Sequence, residues 1–404
     1  MIKSLRGMND ILNDEEYKRY TYFIQTATKV AKNYGFHFIE TPILEETALF
    51  KRSVGESSDI VGKEMYQFTD KGGNDVCMRP EGTAGVVRAF IQNKLDRAGG
   101  VHRYFYHGAM FRYERPQKGR LRQFHQFGCE SFGVASVYED ANMIMMVSDI
   151  LKELGIGYRL QLNSLGDQNC MPQYRDALVS FIESVESEIC EDCKRRKTTN
   201  PIRVLDCKNE QCQSLYANAP KLIDSLCEGC QSDFDTLKQI LDDNEIAYET
   251  DTNLVRGLDY YSKTAFEFVS DNIGSQSAIA GGGRYDRLVE FLDGRATPAV
   301  GFAMGIERLL ELIVMPQEKR SGYYLGAMDD AAVNFILKLA HQKRQTKKVT
   351  CEYKPKNLKN HLKGADKVHA RFCCVIGSNE LENNTIWIKD LEMKTEQTIN
   401  IKDF

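Results

Sequence analysis

The sequence lacks the features that would assign it to a membrane or secreted class. No run approaches the roughly 20 consecutive apolar residues that a membrane-spanning helix needs, and the N-terminal segment has no apolar stretch typical of a signal peptide. Twelve cysteines in 404 residues are too few for a disulfide scaffold. We therefore expect a cytoplasmic protein with reduced thiols and no membrane partner, in which clustered cysteines are metal-ligand candidates before they are disulfide candidates.

The sequence also lacks internal repeats and low-complexity segments, and its length suggests two or three domains. The net charge of -4 is unevenly distributed, because residues 321–404 carry 14 Lys and Arg against 10 Asp and Glu. Within that part, residues 341–371 hold ten cations and two acids. Such a surplus is typical of a polyanion-binding surface, although a solvated helix face would also explain it.

Apolar periodicity predicts the main elements. Residues 14–34 repeat apolar side chains at three- and four-residue intervals and are followed by Gly35, which is typical of an amphipathic helix. The other predicted elements are a strand at 36–42, a long hairpin at 103–113 and 123–130, a helix at 140–154, a pair of strands at 254–270 and a helix from Gly305.

The middle and the end of the chain differ from the rest. Residues 166–247 are helix-like and cysteine-rich, and they interrupt segments rich in strands. We interpret them as an inserted helical domain within a core that spans residues 1–320. Residues 321–404 alternate helical and strand patterns, which predicts a separate small α/β domain.

A turn between two predicted strands carries a high density of positive charge. The stretch is FRYERPQKGRLRQFHQFGCE, and its five cations are Arg112, Arg115, Lys118, Arg120 and Arg122. Because side chains alternate along a strand, Gln126, Gly128 and Glu130 share one face of the second strand, and His125 lies on the other as a packed residue. A salt-bridged surface hairpin would account for the arginines but not for an open glycine between two polar groups. We therefore predict a phosphate site beside a polar pocket.

This stretch resembles motif 2 of class II aminoacyl-tRNA synthetases, in the form found in histidyl-tRNA synthetases. The helix and strand that end at Pro42 resemble motif 1, and VGFAMGIERLLELI (Val300–Ile313) resembles motif 3. Three segments resemble motifs specific to the family: RPEGTAG (Arg79–Gly85), LVRGLDYYSKTAFEF (Leu254–Phe268) and AGGGRYD (Ala280–Asp286). The class I signatures HIGH and KMSKS are absent. The resemblance covers essentially the whole chain, and a departure such as Arg287, where the family commonly has glycine, does not touch the pocket.

The resemblance implies an α+β fold, with a mixed, mostly antiparallel sheet flanked by helices and no Rossmann domain. The catalytic core would span residues 1–320, interrupted by the helical insertion at 166–247, and residues 321–404 would form an α/β anticodon-binding domain. The implied activity is ATP- and Mg²⁺-dependent activation of L-histidine to histidyl-adenylate, followed by transfer to tRNA(His). Motif 1 builds a two-fold interface in this class, so a homodimer is implied.

The resemblance also assigns roles to individual residues. The implied histidine-binding residues are Glu81, Gly82, Thr83, Gln126, Glu130, Tyr260, Tyr261 and Tyr285. Glu81, Thr83 and Gln126 would hold the amino group, while Glu130 and Tyr261 would meet the two imidazole nitrogens. The implied ATP-binding residues are Arg112, Glu114, Arg120, Arg256 and Arg308, of which Arg112, Arg256 and Arg308 would be catalytic. Gln117 and Arg122 would meet the tRNA acceptor end.

The insertion carries two Cys-x-x-Cys pairs with the spacing of a structural zinc site. The predicted ligands are Cys190, Cys193, Cys227 and Cys230, with Cys207 and Cys212 as alternates. The competing interpretation is that these thiols pack in the core, because small buried cysteines pack well. The remaining cysteines are expected to be core thiols: Cys77, Cys129, Cys170, Cys351, Cys373 and Cys374.

Two rival functions are compatible with parts of the sequence. A non-catalytic, synthetase-like regulatory subunit of ATP phosphoribosyltransferase would keep the fold but lose the catalytic arginines and the tRNA-binding domain. A general RNA-binding protein would explain the basic C-terminal segment but not the histidine pocket. No feature points to DNA as a partner.

Overall fold

The computed structural model describes residues 2–12, 14–55, 58, 60–207, 209–255, 258, 260–273, 277–317 and 319–404. The chain forms two compact units, Met1–Val314 and Met315–Phe404. The boundary between the units therefore lies after Val314, a few residues before the predicted boundary at residue 320. No helix among the described residues is long and apolar enough to cross a membrane.

The first unit is built on strands that form a large and a small sheet. In chain order they are β1 (His37–Phe38), β2 (Leu44–Glu46), β3 (Tyr66–Thr69), β4 (Asp75–Met78), β5 (His102–Phe111), β6 (Gln123–Phe132), β7 (Arg159–Ser164), β8 (Glu249–Thr250), β9 (Ser262–Val269), β10 (Ala278–Arg284) and β11 (Ala299–Gly305).

The large sheet has the strand order β1-β5-β6-β11-β10-β9-β7-β8. Its two edge pairs, β1 with β5 and β7 with β8, are parallel, and all its inner pairs are antiparallel. Strands β2, β4 and β3 form the separate small antiparallel sheet. The predicted mixed, mostly antiparallel fold is confirmed.

Helices cover the large sheet and fill the insertion. They are α1 (Asp14–Asn33), α2 (Thr47–Val54), α3 (Thr83–Gln92), α4 (Leu95–Ala98), α5 (Val137–Glu153), α6 (Met171–Ser184), α7 (Glu191–Thr199), α8 (Glu210–Tyr216), α9 (Glu228–Asp243), α10 (Leu288–Phe291) and α11 (Ile306–Leu310). Helix α1 buries Phe23, Ala27 and Val30, as its apolar period predicts. The chain turns away from α1 at Gly35, whose φ of 81° lies in the left-handed region that favours glycine.

The second unit is a five-stranded sheet with helices. Its elements are β12 (Tyr323–Ala327), α12 (Asp330–Lys343), β13 (Val349–Glu352), α13 (Leu358–Lys367), β14 (Phe372–Ile376), α14 (Ser378–Glu382), β15 (Thr385–Asp390) and β16 (Thr395–Asn400). The strand order is β13-β12-β14-β15-β16, with the first three strands parallel and the last two antiparallel. This is the small α/β unit that the sequence predicts.

Two predicted strand regions are shorter than expected. Strand β1 spans only His37–Phe38 of the segment 36–42, and the N–H of Ile39 makes a further bond to β5 before the chain leaves the sheet ahead of Pro42, which cannot donate a ladder hydrogen bond. Among the described residues of 254–270, where a pair of strands is predicted, only β9 forms. The carbonyl of Leu254 accepts from the Asn163 side chain at 2.9 Å rather than from a strand.

Candidate active site

A cavity of about 240 Å³ opens on one face of the large sheet. Strands β6, β9, β10 and β11 contribute to its walls, together with the start of α3, the turn between β5 and β6, and helix α11. Among the predicted site residues, those that line it are Glu81, Thr83, Arg112, Glu114, Arg120, Gln126, Tyr260, Tyr261 and Arg308. The structure thus brings together, in one cavity, residues separated by more than two hundred positions in the sequence.

Glu81 is held at the N-terminus of α3. Its two carboxylate oxygens accept from the backbone N–H groups of Thr83 at 2.6 Å and Ala84 at 2.9 Å. Such groups have no partner within their own helix, so an adjacent carboxylate satisfies them and interacts favourably with the positive end of the helix dipole. Burial raises the pKa of Glu81, and these backbone hydrogen bonds oppose the rise. The side chain is therefore fixed where it lines the cavity.

Glu130 is fully buried on β6 and lies behind the cavity wall rather than in it. Its carboxylate accepts from the hydroxyls of Thr83 at 2.7 Å and Tyr106 at 3.3 Å, and it also accepts from Tyr285. Burial raises its pKa to about 8, although these hydroxyls favour the charged form. The resemblance implies that Glu130 contacts the imidazole directly. In the structure, Thr83 stands between Glu130 and the cavity instead.

Three glycines make room for this buried network. A Cβ on Gly82 would lie 2.2 Å from the Tyr106 ring, and one on Gly128 would lie 2.4 Å from it. A Cβ on Gly301, the residue paired with Glu130 across the sheet, would lie 1.7 Å from its carboxylate. The prediction of an open glycine in Gln-x-Gly-x-Glu is therefore wrong, because the Tyr106 ring fills the space over Gly128. Gly82 likewise makes room for Tyr106 and does not line the cavity.

Tyr106 is a residue that the sequence analysis missed. It lies directly opposite Gly128 in the β5–β6 hairpin. An aromatic residue that faces a glycine across a predicted hairpin is a signal that could have found it, because large rings cover the backbone of a facing glycine.

The end of the cavity beside Glu81 and Thr83 carries buried polar atoms that have no partner among the described residues. Within the described part of the chain, Gln126 Oε1 and the Tyr260 hydroxyl have no hydrogen-bonding partner. Tyr260 packs against Tyr261 and Tyr285, with ring centroids 4.6 and 5.5 Å away. An unpaired buried polar atom is costly, so two of them on one cavity indicate a polar ligand.

The opposite end of the cavity collects positive charge. Arg112 donates to the carbonyl of Pro80 at 2.9 Å, and Arg308 donates to the carbonyls of Gly119 at 2.9 Å and Ala278 at 2.6 Å. Each guanidinium group is a planar fork with five N–H donors.

The charges at this end repel one another. Burial lowers the pKa of Arg308, and the nearby charges of Arg120 and Arg112 lower it further. Arg120 is paired with Glu114 at 2.8 Å. A cluster of partly buried cations in one cavity favours a polyanion that would relieve the repulsion.

Two details of this end differ from the predictions. Strand β5 ends at Phe111 rather than at residue 113 as predicted, so Arg112 and Glu114 lie in the turn that follows it. Glu64, which the sequence analysis missed, has its pKa raised to about 7, first by burial and then by the charge of Glu114.

The remaining predicted residues lie as follows. Gln117 and Arg120 exchange backbone hydrogen bonds in the tight turn that contains Gly119. Arg122 donates to the carbonyl of Glu114 at 3.1 Å and stacks over the Tyr113 ring at 3.7 Å. Arg256 lies outside the described residues, so its role stays a prediction.

His125 lies beside this end of the cavity but does not line it. Its Nδ1 is 2.8 Å from Glu307, which also accepts from its backbone N–H at 2.9 Å. The ring packs edge-on against Tyr20, with centroids 5.7 Å apart. The structure therefore agrees with a packed strand histidine.

The cysteines of the insertion do not form the predicted group. Cys190 and Cys193 begin α7, whereas Cys227 and Cys230 begin α9, and each pair packs against different neighbours. Cys190 and Cys193 lie with Cys207 and Cys212. Cys227 and Cys230 lie with Asp167 and Cys170, although the sequence predicts that Cys170 is a core thiol.

Comparison with known proteins places the chain in a family. The family model described as histidyl-tRNA synthetase matches residues 7–309, and the anticodon-binding domain matches residues 311–404. The chain belongs to the histidyl-tRNA synthetase family. The predicted resemblance is confirmed.

Relatives and solved structures of this family match the full length of the chain. It is 76% identical to a histidine–tRNA ligase of Sulfurimonas denitrificans over 99% of both chains, and 63% identical to one of a Sulfurovum species over 100% of both. The crystal structure of Staphylococcus aureus histidyl-tRNA synthetase is 37% identical, covers 100% of this chain and 98% of its own, and gives a TM-score of 0.83.

A structure from Bacillus halodurans, described as an ATP phosphoribosyltransferase regulatory subunit/histidyl-tRNA synthetase, is also similar. It gives a TM-score of 0.65 at 21% identity, which shows a shared fold alone. The regulatory-subunit alternative is not favoured, because the high-identity relatives are ligases.

Proposed function

We propose that the chain activates L-histidine with ATP to form histidyl-adenylate and pyrophosphate, and then transfers histidine to tRNA(His). The observation that carries this proposal is a single cavity with two unlike ends. One end presents unpartnered polar atoms beside Glu81 and Thr83, and the other presents Arg112, Arg120 and Arg308. An amino acid and a triphosphate would meet between them.

Histidine would bind at the closed, polar end. Its ammonium group would be held by Glu81, Thr83 and Gln126, which supply carboxylate, hydroxyl and amide oxygens. Tyr261 lines the cavity and would hydrogen-bond an imidazole nitrogen. Glu130 would act on the pocket by holding the Thr83 hydroxyl at 2.7 Å and the hydroxyl of Tyr285. Tyr260 would complete the wall against the ring.

ATP would bind with its phosphates on the arginine cluster. The histidine carboxylate attacks the α-phosphorus, an oxygen–phosphorus bond forms, and the bond to the β-phosphate oxygen breaks in line to release pyrophosphate. Negative charge builds on the equatorial oxygens in the transition state, and preorganised guanidinium groups stabilise it. Arg112 and Arg256 are assigned to the α-phosphate, and Arg308 and Arg120 to the far end of the nucleotide. A planar fork that bridges two oxygens suits this task better than lysine.

Mg²⁺ fits the residues at the phosphate end. Glu114 and Glu267 line this end, and hard carboxylate oxygens together with phosphate oxygens are its usual ligands. When bound, the ion would offset the charge of the leaving pyrophosphate.

Transfer requires the terminal ribose of tRNA to reach the adenylate. A ribose hydroxyl attacks the carbonyl carbon and AMP leaves. Gln117 and Arg122, in and beside the turn after β5, are assigned to the acceptor end. Seven cations of residues 341–371 are exposed on the second unit and would bind the tRNA backbone: Arg344, Lys347, Lys348, Lys354, Lys359, Lys363 and Lys367.

The motif 1 region is assigned to a homodimer interface. Phe38, Ile43 and Leu44 are 49%, 45% and 50% exposed, which is unusual for neighbouring large apolar side chains on one segment. We also assign the protein to the cytoplasm, where its tRNA substrate is found.

The test is pyrophosphate exchange into ATP by the full chain without tRNA, with each amino acid in turn. The proposal expects exchange that depends on histidine. Exchange that ignores histidine, or requires a different amino acid, would contradict it. Charging of bulk tRNA with labelled histidine tests the second step.

A further inference from the structure

Among its described residues, the inserted helical domain contains two compact groups of metal-ligating side chains. One consists of Cys190, Cys193, Cys207 and Cys212, here called cluster A, and the other of Asp167, Cys170, Cys227 and Cys230, here called cluster B. In each cluster the four candidate ligand atoms all lie within 4.8 Å of one another.

The two clusters share one local design. Cys190 and Cys227 precede α7 and α9 with nearly the same backbone conformation, φ -71° and ψ 159° against φ -69° and ψ 161°. Each is followed by a second cysteine in the first helical turn. The backbone N–H of Cys190 donates to the sulfur of Cys212 at 3.2 Å, and that of Cys227 donates to the sulfur of Cys170, also at 3.2 Å. N–H groups aimed at sulfur stabilise thiolates, which are the form that binds metal.

The distances fit a tetrahedral ion. A zinc ion with Zn–S bonds of about 2.3 Å separates its sulfur ligands by about 3.8 Å, and with a Zn–O bond of about 2.1 Å it separates sulfur from oxygen by about 3.6 Å. In cluster A, the sulfurs of Cys190 and Cys207 are 3.8 Å apart. In cluster B, Asp167 Oδ1 is 3.6 Å from the sulfur of Cys170 and 3.9 Å from that of Cys227.

Both clusters lie in the core of the insertion. Cys170, Cys193, Cys207, Cys212 and Cys230 are all buried within the core of the insertion. The cores of small domains are limited in size, and a structural metal can add to their stability. All twelve cysteines have free thiols in the structure, so the clusters are not disulfides.

We propose that the insertion holds two structural zinc ions, one in cluster A with four thiolates and one in cluster B with three thiolates and the Asp167 carboxylate. Each ion joins a Cys-x-x-Cys turn to a segment that precedes or begins another helix. The proposal replaces the single site that the spacing of the Cys-x-x-Cys pairs suggests, and the metal content does not depend on the proposed function.

Cluster B has a second consequence, because it lies at the base of the insertion beside β9. Leu165 and Gly166, just before Asp167, exchange backbone hydrogen bonds of 2.6 Å with Lys263. The Lys263 side chain also pairs at 2.9 Å with Asp233, which follows Cys230 on α9. Lys263 is two residues from Tyr261, so the ion in cluster B would position the strand that carries a wall of the histidine pocket. This consequence, unlike the metal content, rests on the proposed function.

The first experiment uses the unaltered full chain, purified without chelator. Elemental analysis should find two zinc ions per chain, and an organomercurial thiol reagent should release both. Cobalt-loaded protein should show sulfur-to-metal charge-transfer absorption expected for seven thiolate ligands, the sum of four in cluster A and three in cluster B. Zero or one zinc per chain, or thiols paired as disulfides in the purified protein, would overturn the proposal.

The second experiment separates the clusters. Cys193→Ser should release the ion of cluster A, Cys230→Ser that of cluster B, and Cys351→Ser, in the second unit, should keep both. The KM for histidine should rise several-fold in Cys230→Ser and stay near the unaltered value in Cys193→Ser, with the KM for ATP little changed in either. Release of both ions in either single variant would overturn the assignment to two separate sites. If a variant does not fold, the metal content and cobalt spectrum of the unaltered chain still decide the proposal.

Discussion

The two ends of the active-site cavity differ in how their residues are held. At the end that we assign to histidine, called the histidine end, Glu130 and Thr83 are buried on β6 and α3, buried Tyr285 directly follows β10, and the hydroxyls of Thr83 and Tyr285 both donate to Glu130. At the end that we assign to the ATP phosphates, called the phosphate end, Arg112 and Arg120 lie in the turn after β5, with exposed neighbours. A pocket of buried, hydrogen-bonded side chains suits selection of a small amino acid by shape and hydrogen bonds, whereas arginines on a turn suit a highly charged nucleotide and its departing pyrophosphate.

The largest expected effect is at the phosphate end. Arg112→Ala should lower kcat for adenylate formation by about 10² to 10³, as expected for the removal of one preorganised donor at the reacting centre. The exposed Arg115 of the same turn is the matched control, and Arg115→Ala should change kcat little. Pyrophosphate exchange measures both. Equal decreases in the two variants would mean that the turn contributes only general positive charge.

The next effect is at the histidine end. Glu130→Ala leaves the buried hydroxyls of Thr83 and Tyr285 without their acceptor, at a cost of roughly 1.5 to 3 kcal/mol. We expect this cost to fall on the histidine-bound state, so that the KM for histidine rises about 10- to 150-fold while the KM for ATP stays nearly constant. Glu130→Gln keeps an acceptor and should show a smaller rise. A folded Glu130→Ala variant that weakens ATP and histidine equally would contradict the division between the two ends.

The buried carboxyl should also be visible in the pH dependence of stability. Because the pKa of Glu130 is raised to about 8, the folded state holds a proton that the unfolded state releases near pH 4 to 5. The contribution of Glu130 to the free energy of unfolding is therefore fully present below the pKa of the unfolded state, and it is lost as the pH rises towards about 8. Urea unfolding between about pH 5 and pH 9 should show that the free energy of unfolding decreases less steeply with pH in Glu130→Gln than in the unaltered chain. Part of the decrease should remain in this variant, because the pKa of Glu81 is also raised. Identical slopes would show that Glu130 is ionised in the folded chain.

The smallest effect concerns the basic surface of the second unit. Replacing Lys347 and Lys348 with Ala should flatten the dependence of log Kd for tRNA on log salt by about 0.7 to 0.9 for each phosphate that is no longer neutralised. Pyrophosphate exchange, which needs no tRNA, should be unchanged. Filter binding over a salt series measures the slope, and a tRNA Kd independent of salt would show that this surface does not bind the tRNA backbone.

The sequence was most informative where local pattern determines structure. Helix α1 and the β5–β6 hairpin follow from apolar period and turn residues. The family motifs named nine of the residues that line the cavity. Features that depend on packing between distant segments could not be predicted. The partners of each Cys-x-x-Cys pair depend on how α6 to α9 pack together. The position of Glu130 behind Thr83 could not be predicted either, because alternation along a strand gives the face of a side chain but not how deeply it is buried.

The most direct test of the two-ended cavity is steady-state exchange kinetics of Gln126→Ala and Arg120→Ala, with histidine and ATP each varied. Gln126 Oε1 has no partner among the described residues, and Arg120 adds charge beside Arg308. Removal of one hydrogen bond of about 0.5 to 1.5 kcal/mol should raise the KM for histidine in Gln126→Ala by about 2- to 13-fold without moving that for ATP. Arg120→Ala should raise the KM for ATP without moving that for histidine. Variants that each raise both KM values by the same factor would contradict a cavity with separate histidine and phosphate ends.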